Sequence, residues 1–154
     1  MRMDTGAMFC LELALLRHGR TRGNEEGRYV GRTDEELSPG GRKALEGKRL
    51  FAGFHPQAVF VSPMRRCVQT AELVWPGIQE IQMEEFRETD FGLFEYKTYG
   101  ELRELPSYRQ WIASAGRLPA PGGEDAQAVR ERIVSGFRRL AGRCQREGWE
   151  RAAL

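Results

Sequence analysis

Apolar runs and amphipathic stretches alternate along the chain, and their order predicts its elements. Phe9 to Leu16 is almost continuously apolar, interrupted only by Glu12, and it stops abruptly at Arg17-His18-Gly19. Such a run suits a strand covered on both faces of a parallel sheet. A Gly-, Arg- and Glu-rich stretch from Arg17 to Leu37 reads as an irregular loop. Ser38-Pro39 supplies a cap and a first-turn proline for a helix reaching about Ala52. Ala58 to Val61 is a second buried strand. Ser62-Pro63 repeats the cap-and-proline signal for a helix that Pro76-Gly77 stops after Trp75. Gln79 to Met83 alternates as a third strand, and Phe86 to Tyr99 is an aromatic-rich loop. Two short helices follow, near Tyr99 to Leu105 and Ser107 to Ala115, and then a Pro/Gly loop from Gly116 to Gly123. Glu124 to Arg146 is a long amphipathic helix with Val129, Ile133, Phe137 and Leu140 on one face. A last strand begins at about Arg151.

Strand, helix, strand, helix in that order predicts an α/β layered fold with a mostly parallel sheet. Residues 1–8 are expected to be a flexible tail and 9–154 a single domain. Ligands of such sheets bind beyond the C-terminal strand ends. That rule brings Arg17-His18-Gly19 and the segment Ser62 to Arg66 onto the same face.

Charge and cysteine content narrow the classes. With 24 basic and 22 acidic residues the formal net charge is only +2, and 40% of residues are hydrophobic, so global disorder is excluded. The same balance gives a nucleic-acid binder little support, and no partner of that kind is expected. Lys43, Lys48 and Lys97 are the only lysines, so any local anion site is built from guanidinium groups. No apolar run has the length of a membrane span, and no membrane partner is expected. Cys10, Cys67 and Cys144 are an odd number without a CxxC pair, which fits reduced thiols in a cytoplasm. His18 and His55 are the only histidines, and neither has a second soft ligand at short spacing, so no metal site is expected.

Three clusters carry candidate chemistry. Arg17-His18-Gly19-Arg20-Thr21-Arg22-Gly23-Asn24 follows the first strand. There Arg17 can clamp phosphoryl oxygens, Gly19 lets backbone N–H groups approach an anion, and His18 can attack phosphorus. The same residues would also serve as an arginine-rich surface loop. Ser62-Pro63-Met64-Arg65-Arg66 opens a helix, where a dipole already favours anions; an arginine in that turn wants a further reason, which a phosphate or sulfate ion would give. Simple exposure is the alternative. The aromatic loop holds Glu88, Asp90 and Glu95, any of which could act as a general acid if desolvated, or simply be solvated. Cys67, beside Arg66, reads as a small buried hydrophobe, with a lowered thiol pKa as the alternative.

Together the clusters resemble the histidine phosphatase superfamily, the phosphoglycerate-mutase-like phosphatases. Residues 17–24 match its R-H-G-x-T-x-x-N signature, and Ser62-Pro63-Met64-Arg65-Arg66 resembles its S-x-L-x-R segment with Met for Leu. Glu88-Thr89-Asp90-Phe91-Gly92 looks like the segment with the family's acid, and Pro121-Gly122-Gly123-Glu124 like the loop before the long helix. The resemblance implies a three-layer α/β/α fold, no metal or other cofactor, a phosphohistidine at His18, Glu88 as proton donor, and Arg17, Gly19, Thr21, Asn24 and Arg66 around the phosphate. It implies a phosphomonoesterase for a small phosphorylated metabolite. The segments 90–99 and 108–111 are similar to the α-ribazole phosphatase branch, with a phosphoglycerate mutase as the other enzymatic outcome.

One departure stands out. The family carries a second catalytic histidine in a His-Gly pair after the strand that follows the long helix, and this sequence stops at Leu154. His55, in a loop before a strand, is no substitute. The expectation is a C-terminally incomplete domain, as a truncated or a naturally reduced form. It should turn over weakly or act as a phosphate-binding pseudo-phosphatase, and it should self-associate through an open sheet edge.

Overall fold

The computed structural model describes residues 9–47 and 50–154. The expected tail at residues 1–8 lies outside the described residues. Four parallel strands form the sheet: β1 (Glu12–Ala14), β2 (Ala58–Val61), β3 (Glu80–Gln82) and β4 (Arg151–Ala153), in the order β1-β4-β2-β3. Leu13 pairs with Ala152, Ala58 with Ala152, and Phe60 with Ile81.

The period of two along β2 divides the core. Ala58 and Phe60 point to one face with Met83, Ala152, Leu140 and Cys144; Val59 and Val61 point to the other with Ala14, Ala153, Ala71 and Trp75. Leu140 and Cys144 belong to α6 (Ala126–Glu147), and Ala71 to α3 (Arg65–Val74). Helices therefore cover both faces, and the fold is the three-layer α/β/α arrangement. A third cluster of Phe94, Leu102, Tyr108 and Ala120 lies beneath α4 (Tyr99–Leu102) and α5 (Pro106–Ala113), between β3 and α6 in sequence. Asp125 caps α6 through bonds from the Gln127 and Ala128 N–H groups, and Gly148, at φ 68°, ends it.

The structure corrects four expectations. β1 is an edge strand of three residues rather than a run of eight, although both its faces are covered, Ala14 and Leu16 packing with one core cluster and Leu11 and Leu13 with the other; Glu12 and Leu15 are exposed, and among the described residues no strand pairs its outer side. The irregular loop after it contains α1 (Arg22–Glu25), started by a capping box between Thr21 and Asn24. α2 (Pro39–Leu45) ends seven residues before Ala52, where Glu46 turns extended (ψ 130°) and Gly47 takes a positive φ of 68°. Ser62 does not cap α3. The capping position is Met64, and the orphan N–H of Arg65 donates instead to Asp34 Oδ1 at 2.7 Å, from a loop 31 residues away. Strand β4, moreover, fills the sheet centre, so the free edges of the described sheet are β1 and β3.

Candidate active site

His18 lies four residues beyond the end of β1 and sits half-buried at the C-terminal end of the sheet. Its Nδ1 lies 2.7 Å from the Gly19 carbonyl oxygen. A carbonyl only accepts, so Nδ1 carries the proton and Nε2 keeps its lone pair. Burial, the largest influence, holds the imidazole below its ordinary value of 6.5; the Gly19 bond, next in size, raises it, the charges of Arg66 and Arg17 lower it further, and Glu88 raises it least. The ring is therefore neutral at neutral pH, with an unengaged lone pair on Nε2.

Arg66 comes from the first turn of α3. It is 1% exposed, and its Nη1 and Nη2 each donate at 2.8 Å, to Thr33 O and Gly31 O. Its Nε is buried without a partner, and it forms no ion pair among the described residues. Arg65 is exposed and paired with Glu36. The guanidinium with an uncompensated buried charge is thus that of Arg66.

Among the three acidic candidates the geometry separates roles. Asp90 pairs with Arg32 at 3.2 Å and accepts from Gly92 N at 2.8 Å. Glu95 accepts from Gly31 N, Thr33 N, Thr33 Oγ1 and Phe91 N. Among the described residues Glu88 accepts only from the neighbouring Thr89 N, and it is exposed rather than sunk among the aromatics. It is the carboxylate near His18 left free to exchange a proton.

A cavity of about 370 Å³ adjoins the histidine, with Arg17, Ser62 and Thr70 as polar lining and Leu16, Trp75 and Leu154 among its apolar walls. Burial pushes the Cys67 thiol on its wall upward, which removes the reactive alternative for this cysteine. His55 is exposed, in the loop entering β2, away from the strand ends that hold His18.

The sequence supports this site over most of its length. A family profile described as the histidine phosphatase superfamily (branch 1) matches residues 13–149. The chain belongs to this superfamily. Among related histidine phosphatases, an acid phosphatase of Mycobacterium tuberculosis is 33% identical over 126 residues, covering 80% of this chain and 60% of its own. A 2,3-bisphosphoglycerate-dependent phosphoglycerate mutase of Thermobifida fusca is 32% identical over 126 residues, 75% of this chain and 51% of its own. The chain therefore spans about half to three-fifths of these relatives. The α-ribazole phosphatase of Shigella flexneri superposes with a TM-score of 0.77 over 92% of this chain and 71% of its own, at 23% identity, which shows a shared fold.

Two residues of the histidine phosphatase signature have duties other than those expected. Thr21 is completely buried: its N–H donates to Asn24 Oδ1 at 3.2 Å and its hydroxyl to Glu35 Oε1 at 2.7 Å, leaving no donor for an anion. Gly19 gives its N–H to Thr70 Oγ1 at 3.0 Å. A Cβ there would stand 2.8 Å from Leu45 Cδ1 of α2 and 3.1 Å from Leu37 Cδ2, so a side chain would have to displace the ends of two leucines. Asn24 spends its oxygen on Thr21 and keeps its half-buried amide donors.

Sequence reasoning passed over Glu35, which also accepts from Gly23 N and Tyr96 Oη and so holds the histidine loop. It also passed over Arg132 of α6. Arg132 is paired with Glu124 at 2.7 Å and donates to Glu85 O and Arg87 O, both at 2.8 Å, fixing the backbone that leads into Glu88. The Pro121-Gly122-Gly123-Glu124 motif gives the other half of this clamp through Leu93 N to Pro121 O and Glu124 N to Asp90 O, each 2.9 Å.

Proposed function

We infer that this chain carries the phosphate-ester chemistry of a metal-independent phosphomonoesterase, acting on a small phosphorylated metabolite of the cytoplasm. The supporting observation is a neutral His18 whose Nε2 is unengaged while Nδ1 is tied to Gly19 O, beside the buried guanidinium of Arg66. Arg66, Arg17 and the Asn24 amide neutralise the phosphoryl oxygens. The lone pair on His18 Nε2 forms the P–N bond as the ester P–O bond breaks, and Glu88, as the acid, protonates the departing alkoxide. A water molecule then gives its proton to Glu88, attacks phosphorus and breaks the P–N bond, which releases phosphate and restores His18.

The described residues bring one histidine to the site, and a missing charge-stabilising donor commonly costs on the order of 10²–10³ in rate. Residues 1–154 alone therefore bind phosphate more readily than they turn over an ester. Transfer of the phosphoryl group to a sugar acid instead of water is the mutase outcome, as in the relative of that name. An α-ribazole phosphate is one candidate substrate, suggested by the loops at 90–99 and 108–111.

The test is phosphate release from an aryl phosphate in EDTA by this chain, beside His18→Ala, with isothermal titration of inorganic phosphate. Slow turnover that survives the chelator and vanishes in the variant, with phosphate bound, is expected. Turnover unchanged by His18→Ala, or no phosphate binding, would refute the reading.

A further inference from the structure

We propose that Glu95 is the positioning residue for Arg66, acting through the backbone of residues 31–33 that lies between them. The proposal rests on the reading of Arg66 as the phosphate-binding arginine.

The loop 31–33 has two polar sides. On one, Gly31 N donates to Glu95 Oε1 at 2.9 Å, Thr33 N at 2.9 Å and the Thr33 hydroxyl at 2.7 Å. On the other, Gly31 O and Thr33 O receive the two terminal nitrogens of Arg66, each at 2.8 Å. The same two residues that give their N–H groups to a carboxylate thus give their carbonyls to a guanidinium. The N–H and the carbonyl of one residue belong to successive peptide groups, so fixing the N–H groups of residues 31 and 33 on an anion fixes the backbone about which their carbonyls turn toward the buried cation, and the low-dielectric interior strengthens both sets of bonds. Among the described residues Arg66 pairs with no carboxylate, so Glu95 is the anion that reaches it through the backbone of residues 31–33. Gly31 lies where no side chain fits: a Cβ would stand 2.1 Å from Thr89 O and 2.8 Å from Glu95 Oε2.

Glu95 also accepts from Phe91 N at 3.3 Å, in the loop that begins at Glu88. One carboxylate therefore sets the phosphate-binding guanidinium in register with the strand of loop that carries the proton donor. Asp90 and Glu35 also join separate segments, but neither accepts from the backbone of residues 31 and 33 that holds Arg66.

The experiment uses the whole chain with inorganic phosphate as probe. Glu95→Gln and Thr33→Val are compared with wild type and with Arg66→Lys by isothermal titration, and the guanidinium nitrogen resonances of Arg66 are followed by NMR. Near-UV circular dichroism checks the fold. Glu95→Gln is expected to weaken phosphate binding about tenfold, the loss of one charge-assisted bond. Thr33→Val should produce a smaller loss of the same kind. Added to Arg66→Lys, Glu95→Gln should cost less than about twofold, because the partner it acts through has been removed. The Arg66 resonances should sharpen in wild type and broaden in Glu95→Gln. Equal losses in both arginine and lysine backgrounds, or Arg66 resonances indifferent to Glu95→Gln and Thr33→Val, would overturn the proposal. A wild-type chain that binds no phosphate would instead sink the site reading, while the resonances still report whether Glu95 orders Arg66.

Discussion

Thr70 Oγ1 accepts the N–H of Gly19 at 3.0 Å and donates to the Arg66 carbonyl at 2.6 Å, so one hydroxyl joins the histidine loop to the arginine helix. Thr70→Val keeps the shape and removes the junction. It leaves the Gly19 N–H without its partner, which costs about 1–3 kcal/mol of stability, and it loosens His18 against Arg66. We expect a lower denaturant midpoint and phosphate binding weaker by about tenfold, with Thr70→Ser restoring most of both.

The protonation of His18 gives a pH prediction with a definite sign. The folded imidazole titrates below 6.5 because it is buried next to two arginines. The acid limb of phosphoryl transfer should therefore fall below pH 6.5. The unfolded chain takes up a proton that the folded one refuses, so this residue costs the fold stability as pH drops from about 6.5 through the depressed value. Histidine NMR titrations should show His18 moving below 6.5, and toward it when phosphate is added.

Arg65 and Arg66 are adjacent and should behave very differently. Arg65→Ala removes an exposed ion pair with Glu36 and should change stability by less than about 1 kcal/mol. Arg66→Lys replaces a planar fork by a point charge that cannot hold Gly31 O and Thr33 O together. It should lower stability by about 1–3 kcal/mol and weaken phosphate binding markedly. Urea titration and calorimetry on the two variants would separate them; equal behaviour would contradict this account of Arg66.

Arg132 touches no substrate in this reading, yet it fixes the backbone ahead of Glu88. Arg132→Met should lower kcat by about 10²-fold through a displaced acid, with phosphate affinity nearly unchanged. A fall in affinity equal to the fall in kcat would place its effect elsewhere.

Much of this was legible in the sequence, for reasons that particular residues make plain. Strand β2 and helix α6 were found because Ala58–Val61 and the Val129, Ile133, Phe137 and Leu140 stripe carry their period locally. His18 and Arg66 stood out because their neighbours spell a signature. The start of α3 was misplaced because its N-terminal donor is satisfied by Asp34, which no local rule can see. The family signature places Thr21 and Gly19 at the phosphate, while their partners in the structure, Glu35 and Thr70, lie 14 and 51 residues away. Glu95 was visible only as one of three carboxylates, since its function depends on a loop 62 to 64 residues earlier in the chain.

Among the described residues, strand β1 pairs only with β4, and β2 meets β1 only through β4. During synthesis the nucleophile and its buried arginine therefore emerge on two separate pieces of sheet. Residues 151–153, made more than 130 positions after β1, are what zip these pieces together. The entropy of closing so long a loop must be met before the sheet is continuous, which makes this step a natural bottleneck in folding. Until those three residues dock, the two halves of the phosphate site share no strand pairing and are held together by loop and side-chain contacts such as that of Thr70 with Gly19.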